Sequence, residues 1–350
     1  MNHEHADRVL ARDRPFDAPG PEQLLRTTRR EAIGIALLGA LGVSTVASAQ
    51  SVTPPPAATT AAAPRSRVAR IAHLTDVHVQ PERGAEAGFV QCLHHVQAQA
   101  DRPDVIVTGG DHVMDVFEQQ APRAALVGGM WRDIVKRDCS LRVESAIGNH
   151  DIRGWHSKAA MKETEPGYGK SFALDLLGLP QRYHTFDLTA GAGTWQVIVL
   201  DSIQKRPDSY RCYLDEEQLA WVTTTLTAKP KDRPTLVVSH APVLSLAPLT
   251  IRDRRNDDDV TVPGSLIHLD GYQLHQLFRK HQVRLCLSGH LHLLDQCAID
   301  GVTYICGGAV SGNWWKGSHH GVVEGYGLVD LFDDGSFAHQ YVPYGWNVRS

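Results

Sequence analysis

The sequence Gly148-Asn149-His150-Asp151 follows an apolar-leaning run at residues 141–147. It places an amide, an imidazole and a carboxylate directly after a glycine. A strand that ends in such a loop holds these groups on rigid backbone, which is where sites in open α/β sheets lie. The same composition is also typical of an ordinary turn. The neighbouring motifs must therefore decide between a site and a turn.

Four further polar motifs accompany predicted strands in the same way. They read Asp76-Val77-His78 after residues 68–74, Gly109-Gly110-Asp111 after 105–108, Ser239-His240 at the end of 235–239, and Gly289-His290-Leu291-His292 after 283–288. One such motif arises easily by chance, and a lone histidine is more often a hydrogen-bonded structural residue. Five of them at strand ends predict one cluster of oxygen and nitrogen metal ligands.

The chemistry that uses such a ligand set is hydrolysis at two metal ions. Two ions roughly 3.5–4 Å apart clamp the attacking and leaving oxygens and lower the pKa of a bridging water from about 15.7 to about 7. Mixed Asp, Asn and His ligation suits Mn, Fe or Zn better than Ca or Mg. We therefore expect two divalent or trivalent transition-metal ions as cofactors.

Taken in order, the five motifs resemble those of the calcineurin-like metallophosphoesterase superfamily. The resemblance spans residues 76–292. It implies an α/β fold, a four-layer α-β-β-α sandwich with mixed sheets. It also implies that one metal is held by Asp76, His78, Asp111 and His292, and the other by Asp111, Asn149, His240 and His290, so that Asp111 bridges the two.

The resemblance further implies a mechanism for phosphoester hydrolysis. A metal-bridging hydroxide would attack phosphorus, and His150, steadied by Asp151, would protonate the leaving-group oxygen. A proton donor that is not a metal ligand disfavours a non-catalytic phosphate-ligand-binding protein on the same fold. That binder remains the alternative from a different functional class.

Departures from subfamily patterns narrow the expected substrate. Plant-type and mammalian purple acid phosphatases carry a tyrosine three residues after the bridging aspartate, where this chain has Met114. Protein phosphatases carry an arginine-bearing block there, where this chain reads His112-Val113-Met114-Asp115. What remains resembles bacterial phosphodiesterases, including the cyclic-nucleotide branch. We expect a small phosphodiester, such as a cyclic nucleotide or a glycerophosphodiester; a broad-specificity phosphomonoesterase or nucleotidase is the alternative enzyme.

Residues outside the ligand set are candidates for substrate binding. His112 lies beside the Asp111 motif and either contacts substrate or supports the metal ligands. Farther along, Trp314 or Trp315 offers an aromatic wall for a flat group, and Lys316 a partner for phosphate. Packing of one tryptophan in the core is the alternative.

The N-terminal region predicts export. Arg29-Arg30, the apolar run at 33–46 and Ala47-Ser48-Ala49 together resemble a twin-arginine signal covering residues 1–49, read by the twin-arginine export machinery. An uncleaved anchor is the alternative, although the run is shorter than the ~20 residues of a spanning helix. Residues 50–66 predict a Pro/Ala/Thr-rich linker, and residues 67–350 one metallophosphoesterase domain with a β-rich extension at about 300–350. We expect a periplasmic or secreted protein with no stable membrane span after processing.

Composition sets further bounds. A formal net charge of −4 over 350 residues argues against a general nucleic-acid or anionic-membrane binder. The six cysteines show no C-x-x-C spacing, which excludes a zinc ribbon and favours free thiols.

Apolar patterning predicts further strands at 195–200 and 303–306, helices at 85–100, 118–137, 215–228 and 271–281, and antiparallel strands within 326–344 around Asp333-Asp334-Gly335.

Overall fold

The computed structural model describes residues 65–348. The predicted export signal and nearly all of the predicted linker lie outside these residues. The strands are β1 Arg67–Leu74, β2 Val105–Thr108, β3 Arg142–Ser145, β4 His184–Ala190, β5 Gly193–Val199, β6 Ile203–Arg206, β7 Ser209–Cys212, β8 Thr235–Val238, β9 Arg255–Asn256, β10 Asp259–Val260, β11 Val283–Ser288, β12 Asp295–Ile299, β13 Val302–Cys306, β14 Gly325–Phe332 and β15 Phe337–Pro343. The α-helices are α1 Ala85–Gln97, α2 Ala121–Asp138, α3 Lys170–Leu177, α4 Glu216–Ala228, α5 Ala247–Thr250 and α6 Gly271–Lys280.

Two mixed sheets carry the fold. The first has the order β15-β14-β1-β2-β3, in which β1, β2 and β3 are parallel and β14 is antiparallel to both β1 and β15. The second has the order β12-β13-β11-β8-β5-β4, with the four central strands parallel and both edge strands antiparallel. Two separate hairpins are formed by β6 with β7 and by β9 with β10.

Alternation along the strands distributes apolar side chains to the two faces of each sheet. Ile71 of β1 and Val107 of β2 pack with Val197 of β5 and Leu287 of β11 in a core between the sheets. The neighbouring Ala72 faces the opposite way and joins a second core with the helices. The sheets are therefore stacked face to face.

Helices cover the outer face of each sheet. On the first sheet, Phe89 of α1 stacks on Trp131 of α2 with ring centroids 5.1 Å apart. On the second, Val222 of α4 and Phe278 of α6 pack under Val237 of β8. The layers therefore run α-β-β-α, and the predicted fold class is confirmed.

The predicted elements fall close to the observed ones where the apolar pattern is strong. The helix predicted from residue 118 starts later, at Ala121, because Gln120 has an extended backbone and a proline occupies the first turn. The C-terminal pair β14 and β15 is antiparallel, as predicted. The sequence did not predict α3, α5, β4, β12 or the β6–β7 and β9–β10 hairpins. These elements are short or partly exposed, so their sequences lack a sustained apolar period.

Two further features of the described residues bear on the sequence predictions. The six cysteines are all unpaired in this part of the chain, in agreement with the expected free thiols. Within residues 65–348 no helix has the length and apolar character needed to cross a bilayer.

Two glycines, one in α1 and one in α2, test how tightly the helices pack on the first sheet. A Cβ added to Gly88 of α1 would overlap the ring of Trp315, whereas one added to Gly129 of α2 meets no atom within 4 Å. We expect Gly88→Ala to lower the free energy of unfolding by about 1–3 kcal/mol through overpacking. Gly129→Ala should raise it by about 0.5–1 kcal/mol through helix propensity. Urea unfolding measures both, and equal effects would contradict this packing.

Candidate metal centre

The carboxyl ends of β1, β2, β8 and β11, with the loop after β3, bring the seven predicted metal ligands together. Six of them are buried and His290 is partly exposed. The donor atoms of six of these ligands, together with His150, form overlapping groups: Asp76, His78 and His292; His78, Asp111 and His150; and Asp111, His240 and His290. Because His78 links the first group to the second and Asp111 links the second to the third, the donors form one continuous cluster.

The first part of the cluster centres on two imidazoles. The Nε2 atoms of His78 and His292 lie 3.1 Å apart. His292 Nε2 is 3.4 Å from the Asp76 carboxylate, and His78 Nε2 is 3.7 Å from the Asp111 carboxylate. Two nitrogens and two carboxylates therefore face the same point.

The second part shares Asp111. His240 Nε2 lies 3.3 Å from the Asp111 carboxylate, 3.0 Å from Asn149 Oδ1 and 3.1 Å from His290 Nδ1. The structure thus places Asn149 with His240 and His290, in the same grouping that the resemblance implies.

Backbone carbonyls fix the orientation of three rings. His240 Nδ1 donates to the carbonyl of Gly109 at 2.7 Å, His290 Nε2 to that of Ser265 at 2.7 Å, and His292 Nδ1 to that of Gly312 at 2.5 Å. In each ring the nitrogen that turns away from the cluster carries this proton. The other nitrogen faces the cluster, which is how outer-sphere hydrogen bonds prepare metal ligands.

Opposing pKa shifts describe the electrostatics of the cluster. Burial disfavours charge on His240, but the nearby Asp111 carboxylate outweighs it and raises the pKa of His240 to about 9. Burial and the charge of His240 lower the pKa of His290 to about 4. Burial also disfavours charge on Asp111, yet His240 and His150 hold the pKa of this carboxyl well below its usual range. The cluster attracts positive charge, and a metal bound through His240 must displace a proton.

The backbone around the ligands is strained. Asp76, His78, Asp111, His290 and His292 all have positive φ, between 48° and 73°. Such conformations cost non-glycine residues of order 1–3 kcal/mol each and concentrate at functional sites. Close approach adds a second constraint, because a Cβ on Gly148 would overlap the Asp111 carboxylate and one on Gly289 would overlap Asp76.

The side chain of Asp151 is not hydrogen-bonded to the His150 ring, contrary to the expectation from the sequence. Its buried carboxylate accepts hydrogen bonds from the backbone N–H groups of Asp111, His112 and Gly148 at 2.8–3.0 Å, and from His112 Nδ1 at 2.8 Å. It therefore joins the loop after β2 to the loop after β3. The expected steadying of His150 is corrected to a role in holding Asp111.

His150 lies at the edge of the cluster. Its Nε2 is 3.9 Å from the Asp111 carboxylate, and its ring is edge-on to His78 with centroids 4.7 Å apart. The carboxylate nearest to its Nδ1 is that of Asp115, at 3.8 Å. Sequence reasoning missed Asp115, because nothing in a single carboxylate four residues after Asp111 signals that it turns towards His150.

The predicted substrate-binding residues fall in three different environments. His112 is fully buried between Asp151 and Thr108, so the prediction of substrate contact is wrong and its supporting role stands. Trp315 is also fully buried, with its indole N–H donating to the His78 carbonyl, so it does not line the cleft. Trp314 lies against the cluster, 4.3 Å from the His292 ring centroid. Lys316 is exposed on the same segment, and its phosphate contact stays a prediction.

Tyr210 is a further neighbour that sequence reasoning missed. It lies on the short β6–β7 hairpin, and its ring is edge-on to His290 with centroids 6.1 Å apart. The hairpin itself was not predicted, so no pattern could place this tyrosine. Aromatic rings therefore stand beside both parts of the cluster, Trp314 at His292 and Tyr210 at His290.

Comparisons with known proteins concern the family and the fold of this chain. The family model described as calcineurin-like phosphoesterase matches residues 69–294. No curated protein matched the sequence. A dimetal phosphatase from Danio rerio has a similar structure, with 16% identity, coverage of 80% of this chain and 100% of that chain, and a TM-score of 0.50. A purple acid phosphatase from yellow lupin gives 13% identity, 79% and 51% coverage, and a TM-score of 0.48. At such identity the likeness concerns the fold alone.

The corrected role of Asp151 can be tested by Asp151→Asn. The amide presents N–H groups to backbone N–H donors, so we expect the free energy of unfolding to fall by about 2–4 kcal/mol. Bound metal, measured by elemental analysis, should fall as well because Asp111 loses its support. Asp175→Asn is the control, since its side chain is 82% exposed. Normal stability and metal content, with slower turnover only, would instead support the expected contact with His150.

Proposed function

The chain belongs to the calcineurin-like phosphoesterase family, and from this membership we propose that it hydrolyses phosphodiesters at a two-metal centre. Family membership indicates a metal-dependent phosphoester hydrolase. The preference for diesters and the individual residue roles are the proposed part. The observation that carries the proposal is the set of three Asp and His groups that are linked to one another through His78 and Asp111.

The donor set fits two transition-metal ions. Imidazole and carboxylate donors lie within 4.8 Å of one another in each His/Asp group, the amide oxygen of Asn149 lies 3.0 Å from His240 Nε2, and three rings are already oriented by backbone carbonyls. We assign one ion to Asp76, His78, Asp111 and His292, and the other to Asp111, Asn149, His240 and His290. When bound, such ions supply Lewis-acid activation of water and neutralise the charge of the phosphoryl oxygens.

The residues around the metals have separate tasks in this proposal. His150 is held beside the cluster, and its Nδ1 has no hydrogen-bond partner within residues 65–348, so the ring can turn its Nε2–H towards a leaving-group oxygen. Asp115 stands within 3.8 Å of Nδ1 and would stabilise the protonated ring. Trp314 and Tyr210 limit the cleft on either side of the phosphate.

The charge around the cluster supports a diester. Among residues 65–348, no ion pair joins a lysine or arginine to Asp76 or Asp111. The rings that flank the cluster, Trp314 and Tyr210, are uncharged. A phosphomonoester carries a charge of about −1.5 to −2 at neutral pH, and a diester carries a single charge. A diester needs less positive charge beyond the metals than a monoester does, which favours the singly charged ester here.

The ratio of diester to monoester hydrolysis tests this function. We expect protein reconstituted with Mn, Zn or Fe to hydrolyse bis(4-nitrophenyl) phosphate faster than 4-nitrophenyl phosphate. His150→Ala should keep its metals, because His150 is not assigned as a ligand. It should slow turnover by about 10²–10⁴-fold for poor leaving groups and less for good ones, as expected of a general acid.

The control for this experiment is His94→Ala. His94 lies on α1 with a side chain 61% exposed, away from the cluster, so this variant should retain wild-type rates. Equal slowing of good and poor leaving groups in His150→Ala would remove it from the proton-donor role. Faster monoester hydrolysis would favour a phosphomonoesterase, and two bound metals without turnover would favour a phosphate binder.

We also propose that the protein is exported to the periplasm or beyond by the twin-arginine machinery. The support is the sequence Arg29-Arg30, the apolar run at 33–46 and Ala47-Ser48-Ala49. We expect the intact mass of the exported protein to correspond to an N-terminus at Gln50 or a neighbour, and replacement of both arginines by lysine to block export. A full-length mass in a membrane fraction would instead identify an uncleaved anchor.

A further inference from the structure

A pocket opens next to the metal cluster, on the side of His292. Leu293 and Leu294, which follow His292 directly, form one wall, and His320 and Val322 form another. The wall at His320 is connected to the cluster through ring contacts. His320 lies 4.6 Å from the His319 ring centroid, and His319 lies 5.9 Å from that of His292. The pocket is therefore linked to His292 both through the chain at Leu293 and through the ring of His319.

The pocket has the size of a small organic group. Its volume is about 400 Å³, within the range of roughly 300–1,000 Å³ that is typical of small-molecule sites. The third wall comes from the segment around α5, where Leu246 and Ile251 face the opening. Three separate segments thus enclose one space.

The rim of the pocket exposes aliphatic side chains. Leu246 is 58% exposed and Leu294 is 43% exposed. Leu249 and Val323, at 43% and 44%, follow in sequence on the same segments. Exposed apolar side chains that gather around one cleft, rather than being scattered singly, mark a binding site.

The charge of the lining restricts what can bind. In the part of the chain that the structure describes, no lysine or arginine lines this pocket. The carboxylate of Asp295 is already engaged, because it accepts hydrogen bonds from Ser245 Oγ at 2.8 Å and from the backbone N–H groups of Leu246 and Ala247 at 2.6 and 3.1 Å. A second phosphate or a carboxylate would find no cationic partner here.

One polar group remains available beside the pocket. His319 is 8% exposed, and its Nε2 has no hydrogen-bond partner among the described residues. Buried polar atoms normally have a partner, so an unpaired one beside a cleft is a candidate contact for a ligand hydroxyl or ester oxygen. Six of the nine residues that line the pocket are aliphatic, and its polar members are Thr250, Asp295 and His320, with His319 beside them.

We propose that this pocket binds an uncharged, largely aliphatic substituent of the phosphodiester substrate. The inference rests on the proposed phosphodiesterase function and names the part of the substrate that the pocket recognises. It predicts that esters with an apolar chain are preferred over those with a compact or charged group. Each methylene that is buried should raise kcat/KM roughly fourfold.

A series of alkyl 4-nitrophenyl phosphates tests the pocket. Hydrolysis adds water across the bond from phosphorus to the nitrophenyl oxygen, releasing 4-nitrophenol and the alkyl phosphate, so the leaving group is constant while the alkyl chain varies. We expect kcat/KM to rise at least about tenfold from methyl to hexyl. An ester of the same length with a terminal carboxylate should show no such gain.

Variants at the rim test whether the preference for longer alkyl chains comes from this pocket. Leu246→Glu and Leu294→Glu place a charge at the rim, so the hexyl-to-methyl ratio of kcat/KM should fall to near one. A ratio cancels any general loss of activity. Leu126→Glu on α2 is the matched control, because this leucine is 48% exposed and does not line the pocket, and it should keep the wild-type ratio. Equal wild-type rates for methyl and hexyl esters, or an unchanged ratio in both rim variants, would overturn the proposal.

A binding measurement separates failure of the pocket from failure of the enzyme function. If metal-loaded protein does not hydrolyse even the methyl ester, the proposed phosphodiesterase function fails. Calorimetric titration with methylphosphonate and hexylphosphonate then still tests the pocket. Tighter binding of hexylphosphonate that is lost in Leu246→Glu supports it, and equal binding of the two phosphonates overturns it. Preference for the carboxylate-bearing ester would also overturn it, since it requires a cation that this lining lacks.

Discussion

The buried carboxylate of Asp151 holds together the two loops on which the metal cluster depends. It accepts backbone hydrogen bonds from Asp111 and His112 after β2 and from Gly148 after β3. Asp111 in turn accepts the backbone N–H of His150 at 2.8 Å. Because charge-assisted hydrogen bonds in a buried setting are strong, this small network fixes the position of the residue assigned to both metals. A second link joins the two sheets, since Asp76 after β1 accepts the backbone N–H of His290 after β11.

These hydrogen bonds stabilise the strained backbone of the loops that carry the assigned ligands. Five of the assigned ligands adopt left-handed conformations, and several buried polar atoms, such as His78 Nδ1, lack a partner among the described residues. The described interior compensates through four apolar cores, of which one lies between the sheets and one under each helical layer. The strained loops are attached to the ends of strands whose side chains are almost entirely buried. The rigid sheets can therefore hold the ligands close enough to share one Asp111.

The surroundings of the cluster differ on its two sides. Towards His290 lies the β6–β7 hairpin with Tyr210, and towards His292 lie Trp314 and the aliphatic pocket. The metals would treat any phosphate alike, so the choice among substrates has to come from these outer walls. None of the walls belongs to the five motifs. This separation explains why family membership indicates the reaction but does not identify the alcohol portion of the substrate. That portion contacts the outer walls, which differ from the five motifs.

The sequence by itself determined the α/β class, the main strands and helices, and the side chains that gather at the strand ends. Apolar runs followed by Asp, Asn and His carry this information locally, because parallel strands deliver their carboxyl ends to a common edge. Only the tertiary structure decided that Asp151 supports Asp111 rather than His150, and that Trp315 joins the core under the helices whereas the buried Trp314 packs against His292. It also decided that Asp115 and Tyr210 border the cluster and that a pocket opens at Leu294. These facts depend on contacts between distant segments and on left-handed turns at Trp314 and Asp115. Hydrophobic periodicity and motif spacing describe neighbours along the chain. They therefore cannot predict contacts between segments that are distant in sequence.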